Sequence, residues 1–159
     1  MWYQLSGPGA AALVGEERIA SVSVDRVGYS VQPYVPGRKW AARGRLWLVL
    51  EPRLTYWRPS AGTSETDTVQ VQPASFTLTG SGGTRLRLSG SAIGLGRRPP
   101  PGGSPLTEEG TGTLIADVPA SMRAATLVFR FSGSIRLPKG SVSWSAYSGS
   151  VGTMRLSLR

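Results

Sequence analysis

Short segments in which apolar residues fall at every second position recur along this chain, separated by glycine, proline and serine. Period two sends alternate side chains to opposite faces of a strand, whereas a helix needs apolar residues three and four apart. Helical spacing is almost nowhere. The expected fold class is therefore all-β, a single antiparallel β-sandwich of about eight strands, a usual number for a two-sheet, jelly-roll-like domain. With 159 residues, 40% of them hydrophobic, one domain of this kind can bury a core without disulfides or metals.

The alternation locates the strands. RIASVSV sets Val22 and Val24 on one side, while VGYSV places Val27, Tyr29 and Val31 in the other phase, so a bulge or bend is expected near Asp25 and Arg26, in one bent strand or between two. GRLWLVLE is apolar on both faces, with Leu46, Leu48 and Leu50 against Trp47 and Val49, and reads as a central strand. In TVQVQPASFTLT, Pro73 shifts the phase between Val69–Val71 and Phe76–Leu78, as expected where a strand lies at an edge or steps between sheets. TRLRLSGSAI turns Leu86 and Leu88 inward and Arg85 and Arg87 outward. TGTLIADV, ATLVFRFSG, SVSWSAY and GTMRLSLR complete the set, with Leu127, Phe129 and Phe131 on one face of the second. In SVSWSAY, Trp144 shares a face with Val142 and Ala146 and belongs to the core, while Tyr147 is the more exposed ring.

Two stretches carry no strand pattern. Residues 94–110, GLGRRPPPGGSPLTEEG, contain three consecutive prolines and read as a long, stiff surface loop. RPSAGTSETDT is a second polar loop. Residues 1–15, MWYQLSGPGAAALVG, are apolar but precede the first convincing strand. They are expected to form an N-terminal arm on the sandwich domain of residues 16–159. The arm docks on a neighbouring subunit or folds back over an edge of its own sheet.

Composition narrows the chemistry. There is no cysteine and no histidine, which excludes disulfides, thiolate nucleophiles, Ser/His and Cys/His catalysis and the usual zinc sites. Asparagine is absent too, so no N-glycosylation sequon exists. The nine carboxylates lie mostly in loops or at strand ends, and the pair Glu65 and Asp67 does not by itself specify a calcium site. GSGGT and GLGRR precede no helix and lack the GK[ST] ending of a phosphate loop; they are turns. The formal charge is +9, and of 18 basic residues only Lys39 and Lys139 are lysine, a bias that with many Gly, Ala and Pro reads as GC-rich coding. Such a charge favours an acidic partner. RKWAARGRLW, with Arg38, Lys39, Trp40, Arg43 and Arg45, comes nearest to a nucleic-acid surface. Its simpler reading is a solvated turn leading into a buried strand, with Trp40 at the core's edge.

VQPYVPGRKW is similar to the V-x-P-G-K-x-Y turn, and VPASMRAATLVFRFSG to the VP-A-x-x-A-x-L-x-L-x-F-x-G segment, of the galactose-binding-like jelly rolls. These occur in carbohydrate-binding modules and in bacteriophage tail and fibre proteins. The two stretches cover about a sixth of the chain. The strand that follows in those modules carries an acidic pair, where this chain has Ser145 and Ala146, so the resemblance implies a fold and no calcium or ligand role at these positions.

The function expected from all of this is a non-enzymatic structural virion protein, a bacteriophage tail, baseplate or capsid-decoration subunit acting through protein–protein contacts. Trp2, Tyr3, Leu5, Arg85 and Arg87 are its candidate interface residues. The alternative is a carbohydrate- or receptor-binding module that recognises a surface glycan through Tyr56, Trp57 and Tyr147. Partners are expected to be other virion proteins, further copies of the chain and, under the alternative, a host glycan; no cofactor, metal, nucleic acid or membrane is expected. The N-terminus lacks the basic start and apolar run of a signal peptide, so the expected location is the virion, after synthesis in the host cytoplasm.

Overall fold

The computed structural model describes residues 2–3, 10–14, 17–58, 67–97, 106–130, 133–137, 140–143 and 152–158. Among these are fifteen strands and no α-helix. In chain order they are β1 (Trp2–Tyr3), β2 (Ala10–Val14), β3 (Glu17–Gln32), β4 (Arg45–Arg58), β5 (Asp67–Val71), β6 (Phe76–Gly80), β7 (Arg85–Leu86) and β8 (Leu88–Gly90). Then follow β9 (Ile93–Arg97), β10 (Leu106–Thr111), β11 (Leu114–Pro119), β12 (Ala124–Phe129), β13 (Gly133–Leu137), β14 (Gly140–Ser143) and β15 (Gly152–Ser157). All pairings are antiparallel and the sheets are not closed into a barrel, which makes the molecule an all-β, sandwich-like fold.

The first sheet is built on β3 and β4, strands of 16 and 14 residues paired along nearly their whole length. The register shifts between Val24 and Arg26, so Asp25 is an extra residue in β3. This is the bulge expected from the phase change, and it keeps Val22, Val24 and Val27 all buried. The Asp25 carboxylate accepts hydrogen bonds from the hydroxyls of Ser23 and Thr55, which anchors the bulge to β4.

β4 is central, as its two apolar faces require: β3 lies on one side, β10 and β11 on the other. Pro52 in its middle has no N–H to give a ladder, and a central strand normally excludes it. Here the ladder is already broken on both sides. Pro52 faces Val27, next to the bulge, and its carbonyl accepts from the N–H of Gly112, in the gap between β10 and β11. Across that gap the register with β4 runs on unchanged, so residues 106–119 act as one interrupted strand. Gly112 is required by crowding: a Cβ there would lie 2.3 Å from Cγ1 of Ile93.

The second sheet has the order β15–β12–β6–β7 and the third β14–β13–β5–β9. One pair of chain segments runs through both. β6 pairs β12 in the second sheet, and β5 pairs β13 in the third, with a one-residue change of register across the bend. On one segment the bend is a 3₁₀ turn at Pro73–Ser75, so the strand steps between sheets where the proline predicted it. On the other, the N–H of Arg130 donates to the Ser75 carbonyl at 2.8 Å, holding the two bends together.

Inner-face side chains of all three sheets merge into one core. Val22, Leu48, Leu50, Leu54 and Leu114 come from the first sheet, Leu78, Leu127, Phe129 and Leu156 from the second, and Val71 and Ile93 from the third. The rings of Phe76 and Phe129 meet at 5.0 Å between centroids, tilted by 46°. Of the expected core, Leu48, Leu50, Phe76, Leu127 and Phe129 are buried, and Leu46, Leu86 and Leu88 pack against it half-buried. Phe131 and Trp144 lie outside the described residues. At one end the Tyr29 hydroxyl donates to the Ser157 carbonyl at 2.9 Å and accepts from the Ser157 N–H at 3.0 Å, joining the first sheet to the second.

Two expectations are corrected, and for residues 1–15 the second of the two open alternatives, folding back over the chain's own sheet, is the one found. There are three sheets rather than two, and more strands than eight, because bulges, prolines and glycines divide long runs of alternation into short pieces. The stretch 94–110 is not all loop: most of β9 and most of β10 lie within it, paired with β5 and β4. The segment 1–15 contributes two strands to the chain's own first sheet. Trp2 pairs with Gly28 and Tyr3 with Val27, while Ala10–Val14 run along Glu17–Val22, all on the side of β3 away from β4.

Candidate functional site

Two surface features combine exposed recognition groups with a defined local geometry. The first is the turn of residues 33–44 between β3 and β4. Pro33 and Pro36 restrict its backbone, and Gly37 and Gly44 take φ of 79° and 76°, left-handed values that a side chain resists even though the space around both is open. The Ala41 N–H closes the turn on the Pro33 carbonyl at 2.8 Å, and the Arg38 N–H donates to Val35 at 3.0 Å.

Side chains then fix the turn to the outer face of the first sheet. The Trp47 indole donates to the Lys39 carbonyl at 2.8 Å. The Arg38 guanidinium lies 6.0 Å from the centre of the Trp47 ring and donates to the Ser89 hydroxyl at 3.0 Å. Val35 is buried beneath. With these groups committed inward, two rings are left outside: Trp40 is 69% exposed and Tyr34 42%, with centroids 4.9 Å apart and planes at 35°. They are the large exposed apolar side chains among the described residues. Lys39 and Arg43 flank them, also exposed. Arg45, next along, is occupied: its Nε contacts the Asp117 carboxylate at 2.6 Å and its Nη2 the Asp117 carbonyl at 3.1 Å.

The second feature is a corner where one strand changes sheets. Leu86 pairs with Leu78 and Arg85 with Thr79, so β7 belongs to the second sheet. Two residues later Leu88 pairs with Ala116 and Gly90 with Leu114, so β8 belongs to the first. Continued register would have placed Arg87 opposite Thr77 and Leu88 opposite Phe76. The chain leaves instead, and a groove of about 450 Å³ opens there. Phe76, Leu86 and Leu88 give it apolar walls, Thr77 and Pro73 one side, and Arg85 and Arg87 stand exposed at its rim.

The residues expected from sequence fall as follows. Arg85 and Arg87 do share a surface, the groove. Trp2 and Tyr3 sit in β1 against β3. Leu5 and Tyr147 lie outside the described residues. Tyr56 is 1% exposed and part of the core, so it offers no ring to a ligand in solution. Its position explains this: it keeps the phase of Leu48, Leu50 and Leu54 along β4. Trp57 lies in β4 between Ser21 and Thr107, and its side chain is outside the described part. Trp40, expected at the core's edge, points instead to solvent, and Tyr34 joins it. The signal for both was available as aromatics on a turn of Pro and Gly, which has no inner face to hide them.

No family model matches the chain, and no curated protein does. Solved structures with partial likeness include the Bacillus subtilis lipoprotein candidate ycdA, at 18% identity and a TM-score of 0.44 over 87% of this chain; the match spans 36% of that protein. The structural-genomics target SoR45 aligns at 10% identity and a TM-score of 0.38, over 87% of this chain and 86% of its own. The ApaA candidate of Bordetella pertussis aligns at 12% and 0.39, over 95% and 98%. At these identities and scores the likenesses say nothing about function.

Proposed function

We propose that the protein is a non-enzymatic structural subunit, of the kind from which a bacteriophage tail, baseplate or capsid shell is assembled, and that it works by binding neighbouring polypeptides. The observation that carries this reading is the exposed Tyr34–Trp40 pair on a turn already fixed by Trp47, Arg38 and Val35. Rigid aromatic side chains dominate protein interfaces, and a turn ordered before binding loses little entropy when a partner arrives. The +9 charge and the free lysine and arginine beside the rings favour an acidic neighbour.

Trp40→Ala tests this, because the ring is too exposed to support the fold. Sedimentation velocity and electron microscopy of the native assembly are compared with those of the variant. The expected result is an assembly that depends on Trp40, with a loss of about 2 kcal/mol or more in association and an unchanged melting temperature. A wild-type chain that stays monomeric and joins no assembly, or one indifferent to Trp40→Ala, overturns the reading.

The same two rings support the second reading, a glycan-binding module, since adjacent aromatic faces present a surface on which a sugar ring stacks. This reading transfers the role expected of Tyr56, Trp57 and Tyr147 to Tyr34 and Trp40. A glycan-array signal abolished by Trp40→Ala selects it over the first.

A further inference from the structure

The corner groove between β6 and the crossing strand has a mixed lining, in which the apolar side chains of Phe76, Leu86 and Leu88 stand beside Thr77 and two cations, Arg85 and Arg87. Phe76 is buried at its base, and Leu86 and Leu88 are half-buried although both carry large apolar side chains. A volume of about 450 Å³ lies within the usual range for ligand pockets, roughly 300 to 1,000 Å³. No hydrogen bond or ion pair ties the guanidinium of Arg85 or Arg87 to another described residue. Two other arginines of the surface are paired, Arg45 with Asp117 and Arg38 with Ser89. Arg85 and Arg87 are separated by one residue, as are two carboxylates on either side of a single apolar residue in an extended peptide.

We propose that this groove is a docking site for an extended acidic segment of a partner protein, in which one aliphatic or aromatic side chain enters between Leu86 and Leu88 and flanking carboxylates pair with Arg85 and Arg87. The proposal rests on the reading that the protein acts by binding polypeptides, but it uses a different surface from Tyr34 and Trp40. The planar fork of arginine suits carboxylate recognition, and each charge-assisted pair formed at the edge of an apolar groove is stronger than one in open water. The strand crossing makes the site possible: Arg87 has left β6 before it could pair with Thr77, so the groove is open without any rearrangement of the fold.

The test is a titration followed by backbone NMR, with three blocked pentapeptides, EELEE, EEGEE and KKLKK, and an oligothymidylate as probes. EELEE is expected to shift the amides of Thr77, Leu86, Arg87 and Leu88, to bind roughly tenfold more tightly than EEGEE, and to weaken by roughly tenfold or more in the variant Arg85→Glu/Arg87→Glu, one decade being the order expected for a lost charge-assisted pair. Trp40→Ala should bind the peptide as the wild type does, which keeps failure of the groove distinct from failure of the turn. Equal binding of EELEE and EEGEE, shifts spread over all the basic surface, no binding, or tighter binding of the oligothymidylate through the same arginines would each overturn the proposal.

Discussion

Two sheet edges in this molecule are treated in opposite ways. The side of β3 away from β4 is the edge of a 16-residue strand, and the chain covers residues 17–22 of it with its own β2 and residues 27–28 with β1. The side of β6 away from β12 is covered only at Leu78 and Thr79, and the chain abandons it at Arg87. A long exposed edge is a template for uncontrolled pairing, so sealing it protects the monomer. A gap of two residues is too short for that hazard, and two arginines at its mouth discourage a second copy of so basic a chain from entering. In such a sandwich, a short gap where one strand ends before its neighbour is a place where binding can occur without exposing a long edge.

Substitutions on either side of this contrast should differ in size of effect. The largest effect is expected from Phe129→Ala, which removes a fully buried ring and the partner of Phe76, the base of the groove. Chemical denaturation should show a loss of about 3 to 5 kcal/mol, and peptide binding at the groove should fall with it; a loss below about 1 kcal/mol would mean the second sheet is not packed as described. Gly112→Val probes the well-sealed side of β4. Its side chain would collide with Ile93, at a cost of about 1 to 3 kcal/mol, while leaving the groove's affinity unchanged. Tyr29→Phe is the mildest. It deletes the paired hydrogen bonds to Ser157 and leaves that backbone free to find water, so about 1 kcal/mol is expected from denaturant midpoints, with no change in oligomeric state.

Much of this fold can be read in the residues, and the limits have physical causes. The bulge at Asp25, the central position of β4 and the step at Pro73 are local events, each announced by a change of phase or by apolar residues on both faces. The burial of Tyr56 was also readable, because its parity follows Leu50 and Leu54 through Pro52. The crossing at Arg87 was not. TRLRLSG alternates without a break, and alternation records which face a side chain takes but not which strand lies alongside. β10 was missed for the opposite reason: LTEEGT has little apolar alternation and is held as a strand by β4. The sites divide likewise. Arg85 and Arg87 were visible as outward residues on a strand, but the groove they flank exists only through a tertiary crossing. Tyr34 and Trp40 reach solvent because their turn is held from below by Trp47 and Val35, contacts that no spacing reveals.

The most direct test of the sealed-edge claim is removal of residues 1–15, followed by thermal unfolding and sedimentation velocity across a range of protein concentrations. With β1 and β2 gone, β3 is left open along one side, so the shortened chain should melt at a lower temperature and self-associate more as its concentration rises, while EELEE still binds at Arg85 and Arg87. A shortened chain that keeps the full melting temperature and sediments as a monomer at every concentration would contradict the account.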